Sequence, residues 1–136
     1  MPYQGGYPTL PTRSVRARYD FAKDGGAVGD IDLTKTAVIP KNAVIIGGFA
    51  EVDVVPTSGG AATLALKVEG AGDIIAAAAI SGAPWSSIGR KSVIPVFTGA
   101  TSVKTTAARK VQATVATAAL TAGVIDVVLF YVEMPD

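Results

Sequence analysis

The sequence predicts an all-β fold: a single antiparallel β-sandwich, jelly-roll-like, preceded by an extended N-terminal arm. Apolar and polar residues alternate with a period of two in several short stretches, and glycine and proline are concentrated between those stretches. No coiled-coil heptad is present. A chain of 136 residues is the size of one domain whose core needs neither disulfides nor metal. We therefore expect about seven short strands or more, packed as two sheets.

Residues 1–12 are predicted to form the extended arm. They contain three of the eight prolines and lack the alternation of a strand, so neither a helix nor a strand is favoured. We place the sandwich domain over residues 13–136. Tyr3 and Tyr7 are the candidate anchors of the arm on a partner, and a disordered terminus is the alternative interpretation.

The alternating pattern begins at Val15. In the first predicted strand Val15, Ala17, Tyr19 and Phe21 fall on one face, which indicates a half-buried strand. Further strand-like runs lie at residues 31–33, 37–39, 43–55, 63–69, 92–97, 102–107, 110–116 and 124–134. The pair Gly47 and Gly48 interrupts one of them and predicts a bulge or bend where a strand changes sheet.

The run IIAAAAI between Ile74 and Ile80 fits two structures. Alanine favours a helix, but the flanking glycines leave only about nine residues, which is short for a stable helix. A strand and a short helix both stay open. The same run is the longest apolar stretch and is far shorter than the ~20 residues that cross a bilayer, so we expect no membrane partner. The N-terminus lacks the pattern of a signal peptide, which favours synthesis without export.

Composition argues against most catalytic and metal chemistry. The chain contains no histidine and no cysteine, the residues that supply the usual neutral-pH base, soft metal ligand and thiol nucleophile. Asp24, Asp30 and Asp32 lie close in sequence but lack the closing glutamate of an EF-hand, so solvent-exposed turn residues are the better interpretation. We expect no enzyme activity, no cofactor and no metal. Paired carboxylates of the glycosidase type stay as an alternative, drawn from Glu51, Asp53, Glu69 and Asp73.

Charge and hydropathy indicate a protein that assembles. The formal net charge is +1, which argues against binding nucleic acid through its phosphates. Only 17% of the residues are charged, against about 25% in an average soluble domain, and the mean hydropathy is +0.42. Such a chain has few charged side chains to place on its surface, so part of that surface must be apolar. We therefore expect contacts with other copies or with another protein.

Four further residues are candidates for binding a partner. Arg13, Arg16 and Arg18 precede the first acidic residue and either contact an acidic partner or form a solvated strand face. Trp85 is the only tryptophan and lies in a predicted loop. It either anchors a partner or folds back into the core.

A family resemblance gives a more specific hypothesis. It rests on DIDL at residues 30–33, IPKNAVI at 39–45, VDV at 52–54, LAL at 64–66, Thr105 and Thr106 with Arg109, and LTAG at 120–123 before residues 127–132. Between about Tyr19 and Val132 the chain resembles small jelly-roll proteins that decorate, or cement, the capsids of tailed bacteriophages.

The resemblance implies a non-catalytic virion protein, made in the host cytoplasm and placed on the capsid surface. It implies a homo-oligomer, usually a trimer, that binds across neighbouring subunits of the major capsid protein. The alternative is a β-sandwich binding module of a tail or head fibre, for example one that binds carbohydrate.

Overall fold

Two antiparallel sheets pack face to face in the computed structural model, which describes residues 10–33 and 35–134. The strands are β1 (Thr12–Asp20), β2 (Gly29–Asp32), β3 (Lys35–Thr36), β4 (Ala43–Ser58), β5 (Thr63–Lys67), β6 (Ile75–Ala79), β7 (Gly89–Ser92), β8 (Val103–Lys104), β9 (Gln112–Ala116) and β10 (Leu120–Glu133). A single helical turn, α1 (Phe21–Asp24), follows β1. The predicted all-β sandwich is confirmed.

The chain passes repeatedly between the two sheets. The six-stranded sheet has the order β3-β1-β10-β4-β7, with β8 also paired to β4. The four-stranded sheet has the order β2-β9-β5-β6. The long last strand, β10, therefore lies between β1 and β4, and the two ends of the described chain meet in the middle of the larger sheet.

The faces predicted from the period of two are the buried ones. Val15, Ala17 and Tyr19 of β1 point into the core, and so do Leu64 and Leu66 of β5. Phe21, predicted on the same face of β1, begins α1 instead and is only partly buried. Burial of these side chains between the sheets supplies the main stabilising term, at roughly 25 cal/mol per Å² of apolar surface removed from water.

Tyr19 is buried, and its hydroxyl group has a hydrogen-bond partner. Its hydroxyl donates to the Gly25 carbonyl at 2.6 Å, beside the end of α1. Burial, with the charges of Asp24 and Asp20 nearby, raises the pKa of Tyr19 from 10.0 to about 12.

The Gly47–Gly48 pair marks a bulge, as predicted, but the strand stays in one sheet. The register of β4 against β10 shifts where Phe130 pairs with Gly47 and Tyr131 pairs with Ile45. Gly48 has φ +149°, and a Cβ there would collide with the Val128 carbonyl of the neighbouring strand. The expected change of sheet is therefore wrong: the bulge is accommodated within β4, which continues to Ser58.

The alanine-rich run is a strand. Residues 75–79 form β6, antiparallel to β5, with Ile75 turned into the core. Pairing with β5 satisfies the backbone on one side, and this tertiary contact outweighs the helix propensity of alanine.

Three predicted strands differ most from the expectation. Of residues 37–39, only Ile39 pairs, in an isolated bridge with Arg109. Residues 93–97 lie outside any strand, and β8 covers only two residues of the predicted run at 102–107. Beyond β8 the backbone of Thr105 is still bonded next to β4, since its amide donates to the Ala43 carbonyl at 2.9 Å and its carbonyl accepts from the Asn42 amide at 3.1 Å. Its hydroxyl donates to the Pro40 carbonyl at 2.7 Å and accepts from the Ala43 amide at 3.0 Å. Pro95 has no amide hydrogen to donate to a ladder.

Candidate functional site

The outer face of the six-stranded sheet carries a row of compensating charges. This ionic row consists of Arg16 and Arg18 on β1, Asp126 on β10 and Asp53 on β4. Arg16 and Arg18 approach Asp126 at 3.0 Å and 2.6 Å, and Arg18 also approaches Asp53 at 3.3 Å. The chain therefore neutralises these two arginines itself, which supports the interpretation as a strand face over the one as a binding site for an acidic partner.

An open groove of about 540 Å³ lies beside the ionic row. It is lined by Arg16, Arg18, Asp20, Lys35 and Thr36. Because both arginines already pair with carboxylates, we assign no ligand to this groove.

Arg13 lies apart from the ionic row, at the start of β1. It is exposed and borders a pocket of about 230 Å³ with Leu10, Pro11 and Glu133. The predicted anchors Tyr3 and Tyr7 lie outside the described residues. Of the three predicted arginines, Arg13 is the one that forms no ion pair in the ionic row. It directly follows the arm in the sequence.

Trp85 belongs to the core. Its side chain is 0% exposed, and its indole nitrogen donates to the Leu64 carbonyl at 2.9 Å. The register of β5 against β6 shifts between Leu64 and Leu66, so the indole reaches β5 where the ladder is irregular. The structure thus decides between the two open interpretations, and Trp85 as a partner-facing anchor is corrected: a buried indole offers no surface to a partner.

Glu69 joins the β5–β6 turn to the loop between β8 and β9. Its carboxylate accepts from Arg109 Nε at 2.9 Å and Nη2 at 3.2 Å, and from the Thr106 hydroxyl at 2.7 Å. The hydrogen bonds from Thr106 and then from Arg109 lower the pKa of Glu69 from 4.5 to about 2. A carboxylate held ionised in this way is a poor general acid near neutral pH.

Asp73 has a structural role in the same turn. Its two carboxylate oxygens accept from the backbone amides of Val68, Glu69 and Gly70 at 2.8, 2.9 and 2.7 Å. These amides would otherwise lack partners where the chain leaves β5. Two of the four carboxylates considered for catalysis, Glu69 and Asp73, are thus engaged in hydrogen bonds that hold this turn.

An aromatic patch lies on the outer face of the six-stranded sheet, and the sequence analysis missed it. We define this patch as Phe97, Phe130 of β10 and Phe49, which lies on the same face of the neighbouring strand β4. Phe97 is 68% exposed, and its ring centroid lies 6.2 Å from that of Phe130. The signal was present in the sequence, because Phe49 and Phe130 occupy positions that share a face with charged residues of their own strands.

Two features hold the aromatic patch in place. Gly47 leaves room for the Phe97 ring, since a Cβ at that position would lie 2.8 Å from it. Arg90 stacks 5.8 Å from the centroid of Phe49 and approaches Glu51 at 3.6 Å. The patch is therefore an apolar surface bordered by charges, which is the composition of a protein interaction surface.

Residues 10–33 and 35–134 contain neither a cluster of metal-binding side chains nor a membrane-spanning helix. In that part of the chain no group of three or more acidic, histidine or cysteine side chains is placed to hold a metal ion. No helix among those residues is long and apolar enough to cross a membrane.

Comparison with known proteins gives matches in structure only. No protein-family model matches the chain, and no curated protein matches it in sequence. A chain in the acid-stable capsid structure of Helicobacter pylori bacteriophage KHP30 aligns with a TM-score of 0.59 and 15% identity, covering 92% of this chain and 89% of that one.

Two other capsid structures contain similar chains. In the capsid asymmetric unit of cyanophage Pam1 the TM-score is 0.56 at 17% identity, covering 97% of this chain and 96% of that one. In the capsid of Ralstonia phage GP4 the TM-score is 0.55 at 22% identity, covering 97% of this chain and 89% of that one. These likenesses establish a shared fold.

Proposed function

We propose that this chain is a structural virion protein that decorates a phage capsid and stabilises it by binding across neighbouring major capsid subunits. The observation that carries the proposal is the alignment with three chains from phage capsid structures, each over nearly the full length of both chains. Each neighbour is therefore a small protein of about the same length, and the match is to a whole capsid chain rather than to one domain of a larger one.

The strand order supports the jelly-roll part of the proposal. Eight strands form two four-stranded layers, β1-β10-β4-β7 and β2-β9-β5-β6, in which first and last strands are neighbours. A double Greek key produces a sandwich of this kind. The short strands β3 and β8 are additions at the edges of the larger sheet.

The side-chain chemistry supports a non-enzymatic role. Glu69 and Asp73 are engaged in the β5–β6 turn, and the ionic row neutralises itself. What the described surface offers instead is the aromatic patch, and exposed apolar patches mark contacts with other proteins. We propose that the chain is made in the host cytoplasm and joins the outer surface of the capsid.

We further propose that the protein acts as a homotrimer whose N-terminal arm lies along the capsid. The low charge content and the aromatic patch favour contacts between copies. Tyr3, Tyr7 and Arg13 are the residues that we assign to capsid contact. We leave Arg16 and Arg18 out of this assignment, because both pair with Asp126.

Sedimentation with capsids tests the proposed function. Empty capsids assembled from the major capsid protein alone are mixed with the purified full-length chain and pelleted. We expect saturable binding, and we expect the bound capsids to dissociate at a higher temperature than the bare ones. The chain remaining in the supernatant at every capsid concentration would refute the proposal. Light scattering of the free chain tests the trimer separately, and the mass of a 13.8 kDa monomer would contradict it.

A further inference from the structure

The outer face of the larger sheet divides into a charged half and an uncharged half. The ionic row occupies the charged half. Further along β10, Phe130 pairs with Ser14 of β1 on one side and with Gly47 of β4 on the other. The ring of Phe97 lies over Gly47 and beside Phe130. The aromatic patch therefore has uncharged residues as its direct neighbours on both adjoining strands.

The arm enters the sheet at this uncharged half. β1 begins at Thr12, which pairs with Val132 of β10, two residues beyond Phe130. Neighbouring strands lie about 4.8 Å apart and a strand rises about 3.4 Å per residue, so Phe130 lies on the order of 10 Å from the start of β1. Nine residues precede Leu10, the first described residue, and such a segment spans up to about 30 Å when extended. It is long enough to turn back and cross the aromatic patch.

The composition of residues 1–9 matches the aromatic patch. Their sequence, MPYQGGYPT, contains no charged side chain and includes two tyrosines and two prolines. Aromatic rings gain stability from contact with one another, and extended segments that contain proline bind surfaces lined by aromatic side chains. The Phe97 side chain is 68% exposed, so it offers a free surface to an incoming ring.

We propose that residues 1–9 of the free protein fold back onto the aromatic patch of the same chain, with the rings of Tyr3 and Tyr7 against Phe97 and Phe130. The occupant we assign is the chain's own segment, because its attachment beside the patch gives it an effective concentration of roughly millimolar there. Contact between copies at the patch is the competing use, and the experiment must detect it.

The inference goes beyond the proposed function, because it concerns the protein before it reaches a capsid. In the proposed function the arm lies along the capsid surface. The same residues would then leave the aromatic patch when the protein attaches.

A disulfide between two introduced cysteines tests this placement, and the chain has no cysteine of its own to interfere. Gln4→Cys lies between the two tyrosines in the sequence, and Thr98→Cys occupies an exposed position next to Phe97. Lys41→Cys is the matched control for Thr98→Cys. Lys41 is exposed in the turn before β4, at the same end of the larger sheet as Thr12, and lies outside the aromatic patch.

Each pair is oxidised in the full-length chain at low protein concentration, and gel mobility without reductant distinguishes disulfides within one chain from those between chains. We expect the pair at positions 4 and 98 to close at least about tenfold faster than the pair at positions 4 and 41, because a disulfide needs the two Cα atoms within about 7 Å. Phe97→Ala, or Tyr3→Ser together with Tyr7→Ser, should lower the faster rate to that of the control. Circular dichroism establishes that each variant is folded.

The outcomes decide between the arm and the other uses of the patch. Equal rates for the two pairs would overturn the inference, and so would a fast rate that survives the loss of the rings. Disulfides that form between chains would overturn the chain's own segment as occupant and assign the patch to contact between copies. No capsid is present, so a failure here leaves the proposed function standing, and a failure to bind capsids leaves this inference standing.

Discussion

Replacing Trp85 tests whether the β6–β7 loop is locked onto the sandwich by one buried side chain. Trp85→Phe keeps an aromatic ring but removes the indole donor that lies 2.9 Å from the Leu64 carbonyl. Leaving that buried carbonyl without its partner costs about 1–3 kcal/mol, and the smaller ring leaves a gap. We expect a total loss of about 2–3 kcal/mol.

Trp85→Ala should cost more, about 3–5 kcal/mol, because it removes the whole side chain from a fully buried position. Against a typical domain stability of about 5–15 kcal/mol, this loss brings the protein close to unfolding. Urea denaturation followed by far-ultraviolet circular dichroism measures both variants. Tryptophan fluorescence cannot follow these variants, since each lacks the only tryptophan. In the unmodified chain, quenching by acrylamide should show that Trp85 is shielded from solvent.

Ile88→Ala is the matched control. Ile88 lies in the same loop and is 69% exposed, so its truncation should change the stability by about 0.5 kcal/mol or less. If Trp85→Ala were no more destabilising than Ile88→Ala, the indole would not belong to the core. Its role as a partner contact would then be open again.

Three other predictions concern pH and the arm. Glu69→Gln should lower the melting temperature at pH 7, because the pKa of Glu69, lowered to about 2, means that its ionised form stabilises the fold. That stabilisation is present above about pH 4.5 and is lost as the pH falls toward 2, so melting curves of the variant should depend less on pH in this window; an unchanged slope contradicts the assignment. Tyr19, whose pKa is raised to about 12, should have the opposite effect: unfolded chains ionise near pH 10, and stability falls as the pH rises from 10 to 12. Tyr19→Phe should lack this alkaline loss, and an identical alkaline melting profile would argue against it. Deleting residues 1–9, which leaves β1 intact, should weaken capsid binding while the melting temperature stays within about 2 °C; equal binding by the truncated chain would exclude the arm from attachment.

The comparisons agree with the resemblance at the level of the fold. The sequence alone predicted a β-sandwich and a likeness to small capsid proteins, and the structural neighbours are chains of phage capsids. Attachment across neighbouring subunits, the trimer and the role of the arm stay proposals with the tests given above.

Local alternation determined much of the fold. In β1 and β5 the side chains that the period of two turns inward are buried, because a strand directs successive side chains to opposite faces whatever its neighbours are. The absence of histidine and cysteine likewise follows from the sequence by inspection. These properties belong to single residues or to neighbours along the chain.

The tertiary structure decided everything that depends on which distant segments meet. Arg18 pairs with Asp126, which lies 108 positions away, and Glu69 binds Arg109, 40 positions away. Trp85 is buried because its loop folds over β5, and residues 75–79 form a strand because β5 offers them a ladder. Strand order is set by long-range pairing and the closing of loops, whose energies a local pattern does not contain.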